Sequence, residues 1–123
     1  MNGNSILLDT NIVLYLLNGD KTLIPLLENK QLFVSFITEI ELLSYKGIKA
    51  KDQTILKEFL SECLIIDINQ LIKENAVEIR KKYSLKLPDC IIIATSLYLN
   101  IPIISADKEF SKAEIADLVL YQK

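Results

Sequence analysis

The chain contains no histidine. That excludes histidine acid–base catalysis, Ser-His-Asp and Cys-His nucleophile pairs, and histidine-bearing zinc sites within it. Any chemistry must rest on carboxylates, lysines, hydroxyls or an ion held by oxygen. Glycine and proline are scarce, three of each in 123 residues, and no segment has low complexity, so a single compact domain over residues 1–123 is expected. Net charge is −2, which argues against a broadly basic nucleic-acid surface but leaves room for a local patch. The two cysteines, Cys63 and Cys90, fall in apolar surroundings and suit small core residues in a reducing compartment. No basic segment followed by a long apolar core opens the chain, and the longest uncharged run is interrupted by Asn100 and Pro102. A cytoplasmic protein with no membrane partner is expected.

That uncharged run is the most informative stretch. Seventeen residues without a charge separate Asp89 from Asp107. Pro88 suits a first helical turn, Asn100-Ile101-Pro102 suits its end, and Ile103-Ile104 reads as a buried strand. Two carboxylates therefore bracket a rigid apolar unit, where a carboxylate is costly unless something pairs with it.

The remainder alternates in the same way. Ser5–Leu8 reads as a strand ending at Asp9, and Ile12, Val13, Leu16 and Leu17 mark a helix. Leu23, Ile24, Leu26 and Leu27 mark a second, short one. Strands are predicted at 32–36, 64–68 and 117–121, with helices from Thr38, around Ile55–Leu60 and over Leu71–Tyr83. The Arg80-Lys81-Lys82 run reads as the exposed end of that last helix. Alternating strands and helices predict an α/β fold: a three-layer α/β/α sandwich around a parallel sheet of about five strands.

Sites in open parallel sheets form at the carboxyl ends of strands, where strand order reverses. Asp9 ends the first strand and Asp107 lies just past the fourth. Asp89 opens a helix at that rim, and Glu41 sits early in another. Each has a local explanation too: Asp9 as a helix cap, Thr38 with Glu41 as a capping box, Asp89 at a helix N-terminus, Asp107 in a turn. Glu39, two positions from Glu41, is expected to face away, and Asp67 is a secondary candidate. The topology lifts the set, since it sends Asp9, Glu41, Asp89 and Asp107 to one rim. Clustered carboxylates raise one another's pKa. A hard divalent cation such as magnesium or manganese resolves the conflict, acidifies a bound water and steadies charge on a phosphate. Metal-assisted phosphodiester hydrolysis is the reaction class these residues suggest.

Four segments, ILLDTNIVLYLL, VSFITEIELL, LPDCIIIATSL and IISADKEF, carry a resemblance spanning essentially the whole chain. They resemble the motifs of the PIN-domain ribonucleases, and within them the compact VapC-type toxins of toxin–antitoxin pairs. The resemblance places the family's four acids at Asp9, Glu41, Asp89 and Asp107 and its hydroxyl at Ser105. Ser105 stands where threonine is common, and Cys90 where alanine is. The resemblance implies a PIN fold, Mg2+ or Mn2+ dependence, endonucleolytic cleavage of single-stranded RNA, homodimers, and a cognate antitoxin that blocks the site. Asn11 and Ser105 would orient ligands or the scissile phosphate. Lys46, Lys49, Lys51, Lys108 and Lys112 are candidate RNA contacts. An apolar helix of the antitoxin would lie against Leu16, Leu17, Leu23, Ile24 and Leu27. Two other classes compete: a catalytically silent PIN-fold binding module, and a phosphoryl-transfer α/β domain. The second is disfavoured because Asp9 is followed by Thr10-Asn11 rather than by a paired acid.

Overall fold

A computed structural model of the chain describes residues 4–122. Its five strands are β1 (Ser5–Leu8), β2 (Gln31–Ser35), β3 (Leu64–Ile66), β4 (Ile103–Ser105) and β5 (Leu118–Leu120). All pair in parallel, in the order β3-β2-β1-β4-β5. The helices are α1 (Thr10–Leu17), α2 (Ile24–Leu27), α3 (Phe36–Leu43), α4 (Ala50–Ser61), α5 (Gln70–Lys82) and α6 (Leu87–Leu99). The expected α/β sandwich is what forms.

Side-chain alternation along β1 assigns the layers. Leu7 joins Phe33 and Ile103 in a core covered by α5 and α6. Ile6 and Leu8 join Val34 and Ile104 in a second core that includes residues of α1, α2 and α4. A central strand must be apolar on both faces, and all four residues of β1 are buried. The outer strands relax this rule. Leu64 and Ile65 of β3 are 44% and 37% exposed, as an edge position permits.

Helix α6 is the mount inferred from the uncharged run. Cys90, Ile92, Ile93, Ala94, Thr95 and Ser96 are all buried, so apolar or small residues face every direction. The two hydroxyls do not interrupt it, because Thr95 and Ser96 donate to the carbonyls of Ile91 and Ile93. Asn100 ends it in the left-handed conformation, φ 55°, which asparagine tolerates.

The differences from expectation are local. β2 ends at Ser35, one residue early, because Ser35 caps α3 by accepting from the backbone N–H of Ile37 at 3.1 Å. The capping box of Thr38 and Glu41 is thereby overturned: Thr38 lies buried inside the helix, and Glu41 is committed elsewhere. A short 3-10 helix at Lys108–Lys112, which sequence periodicity does not signal, follows Asp107 and is capped by its carboxylate. At the opposite edge of the sheet Tyr121 donates to Asp20 at 2.8 Å and is hydrogen-bonded to the Thr22 hydroxyl, tying the end of β5 to the α1–α2 connection. Among the described residues no helix is long and apolar enough to cross a membrane.

Candidate metal centre

The strand order reverses between β1 and β4: the chain lays β2 and β3 to one side of β1, then returns to place β4 and β5 on the other. The crevice beyond the carboxyl ends of β1 and β4 is therefore the expected ligand position. Register fixes what meets there. Leu8 pairs with Ile104, and the Asp9 N–H continues the ladder to the Ile104 carbonyl at 3.0 Å. The next residues on each strand, Asp9 and Ser105, are thus side by side.

Asp9 is buried, 5% exposed, and both of its carboxylate oxygens are engaged. The Ser105 hydroxyl donates to Oδ2 at 2.6 Å, and the Thr10 N–H donates to Oδ1 at 2.8 Å. Asp9 is at once the cap of α1 and part of the cleft wall. Ser105 also accepts from the Asp107 N–H at 3.0 Å, so one hydroxyl sets the positions of two acids. Asn11 accepts from the Ala106 N–H at 3.2 Å and holds the loop after β4 against α1. Glu41 arrives from α3, and the Thr10 hydroxyl donates to its Oε1 at 2.6 Å. The Thr10 and Thr38 hydroxyls are themselves 3.2 Å apart, so α1 and α3 are linked by a polar chain. Asp89 lies in the first turn of α6, half-buried.

These groups line one cleft of about 320 Å³, bounded by Asp9, Thr10, Asn11, Leu14, Glu41, Leu42, Tyr45, Asp89 and Asp107. It holds all four inferred acids and, among the described residues, no basic side chain. Lys46, Lys49, Lys51, Lys108 and Lys112 do not line it, and Lys112 is paired with Glu109 at 2.9 Å. Glu39 and Asp67 are not among its walls either. Ser105 stands behind Asp9, fully buried, rather than facing the cleft. Thr10 was missed as a site residue, although it sits within the Asp-Thr-Asn triplet; its tie to Glu41, 31 residues away, leaves no mark in local spacing.

The electrostatics follow from the geometry. Burial pushes the Asp9 carboxyl above its ordinary value, reinforced by Glu41 and Asp107, against the lowering effect of its bonds from Ser105 and Thr10. Asp89 is pushed up to about 6, first by burial, then by the charges of Asp9 and Asp107, with Glu41 adding to them and Lys86 opposing. Among the described residues no three acids form a ready-made chelating group; the four line a shared cleft without closing on one centre. Carboxylate and hydroxyl oxygens as the available donors suit magnesium or manganese, which take a few carboxylates and retain several waters. It does not suit a soft or nitrogen-seeking metal.

Ser105→Ala tests the arrangement behind the cleft. It removes the hydroxyl from Asp9 and leaves the Asp107 N–H without its acceptor. We expect a loss of about 1–3 kcal/mol in stability by denaturant titration. Divalent-ion affinity should drop roughly 10–100-fold by calorimetry, the usual effect of removing a group that orients a ligand.

The PIN domain family model matches residues 6–116. Among solved structures, a toxin–antitoxin complex from Klebsiella pneumoniae is 35% identical with a TM-score of 0.81, over 93% of this chain and 95% of that one. VapBC-1 from nontypeable Haemophilus influenzae is 26% identical with a TM-score of 0.77, over 94% and 97%. VapBC2 from Rickettsia felis, bound to a DNA fragment from its promoter, has a TM-score of 0.81 over 96% and 99%; at 23% identity it speaks to the fold alone. A comparison with curated proteins finds no match. The family model, which takes in most of β1, all of β2, β3 and β4, and all four acids of the cleft, shows that this chain belongs to the PIN domain family.

Proposed function

We propose that the chain is a magnesium- or manganese-dependent endoribonuclease, the toxin of a VapC-type toxin–antitoxin pair. The observation that carries the reading is the convergence of Asp9, Glu41, Asp89 and Asp107 in one cleft that is lined by no cationic side chain among the described residues, in a chain of this family. The likeness to a toxin–antitoxin complex at 35% identity supports the biological role.

In this reading Asp9, Asp89, Glu41 and Asp107 hold the ion directly or through water. A bound divalent ion supplies a water of lowered pKa and neutralises charge building on the phosphate. The protein's part is positional. Ser105 and the Thr10 N–H fix Asp9 and favour its ionised form against the burial that opposes it. Thr10 aims Glu41, and Asn11 holds the loop that carries Asp107. Single-stranded RNA is the substrate in this reading, because its unstacked backbone and bases are what proteins can reach outside a duplex. Because the attacking water is external, the 2′-hydroxyl has no nucleophilic role.

A cognate antitoxin and a second copy of the chain complete the proposed assembly. For the antitoxin, Ile24 and Leu26 are 51% and 42% exposed on the N-terminal helices, although Leu23 and Leu27 beside them are consumed by the core. A crevice lined by Leu14, Leu17, Tyr45 and Ile48 lies on the same side of the sheet.

The test is cleavage of a structured RNA by purified protein. We expect magnesium or manganese to support cuts in single-stranded loops and a chelator to abolish them. Cleavage that persists in chelator would exclude the mechanism. Binding of manganese and RNA without cleavage would favour the silent binding module.

A further inference from the structure

The acid cleft repels the phosphates of any nucleic acid, so a nuclease of this kind needs a cationic surface beside it. None of the sequence candidates lines the cleft. A second depression of about 550 Å³ does supply cations: its walls are Arg80, Lys81, Lys82, Tyr83, Ser84, Leu85, Lys86 and Glu109. Four of the chain's fourteen basic residues therefore meet in one place, at the end of α5 and the turn into α6. Glu109 offsets them little, since it is already paired with Lys112.

Two connections join this depression to the acids. Lys86 is the residue that precedes α6, three positions before Asp89. Glu109 donates its backbone N–H to the Asp107 carboxylate at 2.9 Å. The basic depression and the acid cleft thus share the two segments that bring Asp89 and Asp107 to the rim. The basic residues also differ from one another. Arg80 donates to the Leu85 carbonyl at 2.5 Å and so shapes the turn. Lys81, Lys82 and Lys86 are exposed, with no ion pair among the described contacts. Lys82 lies 5.5 Å from the centre of the Tyr83 ring, which puts an aromatic face beside the cations. Cations tracking a backbone next to an aromatic ring is the combination by which proteins hold single strands without reading sequence.

Resting on the nuclease reading above, we propose that the α5–α6 turn is the substrate-holding surface: Lys81, Lys82 and Lys86 bind backbone phosphates of single-stranded RNA next to the one being cut. The strand then passes from the basic depression across Lys86 to Asp89. Arg80 acts as a strut that keeps the turn in shape.

The experiment compares wild type with the triple variant Lys81→Ala, Lys82→Ala, Lys86→Ala, using a fluorescent single-stranded oligoribonucleotide at several salt concentrations. Arg80 is left intact because its bond to Leu85 is structural, and a thermal melt checks the fold of the variant. Lys21→Ala, an exposed lysine on the far side of the sheet, serves as the control. Three lost phosphate contacts should make the slope of log(kcat/KM) against log salt shallower by about 2 and raise KM roughly tenfold or more at low salt. kcat at saturating RNA should stay within about twofold, since the lysines hold substrate without touching the reacting atoms. An unchanged KM and salt slope in an active triple variant would overturn this proposal alone and leave the nuclease reading standing. So would a fall in kcat with KM intact. Unchanged RNA kinetics with weakened binding of oligoglutamate would overturn it in favour of an acidic protein partner. No cleavage by wild type would remove both.

Discussion

Asp9→Asn should abolish RNA cleavage while making the ion-free protein more stable. The two effects separate because Asp9 is buried and its ionised form is disfavoured there. Asparagine keeps a carbonyl oxygen that can accept from Ser105 or from the Thr10 N–H, but carries no charge into the low-dielectric rim. A divalent ion contributes several kcal/mol of charge stabilisation in phosphoryl chemistry. At about 1.4 kcal/mol per factor of ten, weakening its hold should cost on the order of 10³-fold in kcat/KM. Over the same substitution, the denaturant midpoint in chelator should rise, with a gain on the order of 1 kcal/mol. A variant that lost activity together with stability would indicate instead that Asp9 acts mainly as the cap of α1.

The second large effect is on stability as a function of pH and divalent ion. Asp89 has a folded-state pKa of about 6 against an ordinary value of 3.8. Because folding raises this pKa, the folded protein binds the proton more tightly than the unfolded chain does. Stability from this source is fully present below about pH 4 and is lost as pH rises towards and through 6. Asp9 is shifted in the same direction. In chelator, stability should therefore fall over that interval by on the order of 2 kcal/mol after discounting for the solvent at the half-buried carboxyl, read as a falling melting temperature. Magnesium or manganese should reverse the trend above pH 6, where the carboxylates are free to bind. At one hundred times the dissociation constant the gain is about 2.7 kcal/mol. For a chain of this size that is roughly 10 °C in a thermal melt. Sodium at matched ionic strength should give much less. Equal responses to the two salts would mean that the acids are only screened, and not ligated.

The contrast between what could be read in advance and what could not has a physical basis. The rim was legible because strand ends, helix starts and an uncharged run are local features, and parallel topology then dictates where they meet. Asp9 and Asp107 follow from β1 and β4, and Asp89 from Pro88 and the apolar helix behind it. Glu41 was assigned to the rim against a competing local explanation: Thr38 and Glu41 match a capping box in spacing, yet Ser35 does the capping and Glu41 takes the Thr10 hydroxyl instead. That hydroxyl crosses between α1 and α3, so only the packing reveals it. The same holds for the basic turn. Arg80-Lys81-Lys82 is indeed the exposed end of α5. That it faces Lys86 across a depression, with Arg80 anchored to Leu85, depends on how α5 turns into α6. The sequence pointed instead to Lys46, Lys49 and Lys51; Lys51 lies inside α4 rather than in a loop, and none of the three reaches the wall of the acid cleft.

The proposal that Asp9, Glu41, Asp89 and Asp107 share in holding a divalent ion in this cleft can be checked by manganese titration calorimetry at pH 7. The proteins to compare are wild type and the single variants Asp9→Asn, Glu41→Gln, Asp89→Asn and Asp107→Asn, each first shown to be folded. The account predicts saturable binding to wild type and weakened binding in every variant, most of all in Asp9→Asn and Asp89→Asn. Binding of equal strength in all five, or no binding to the wild-type protein, would contradict it.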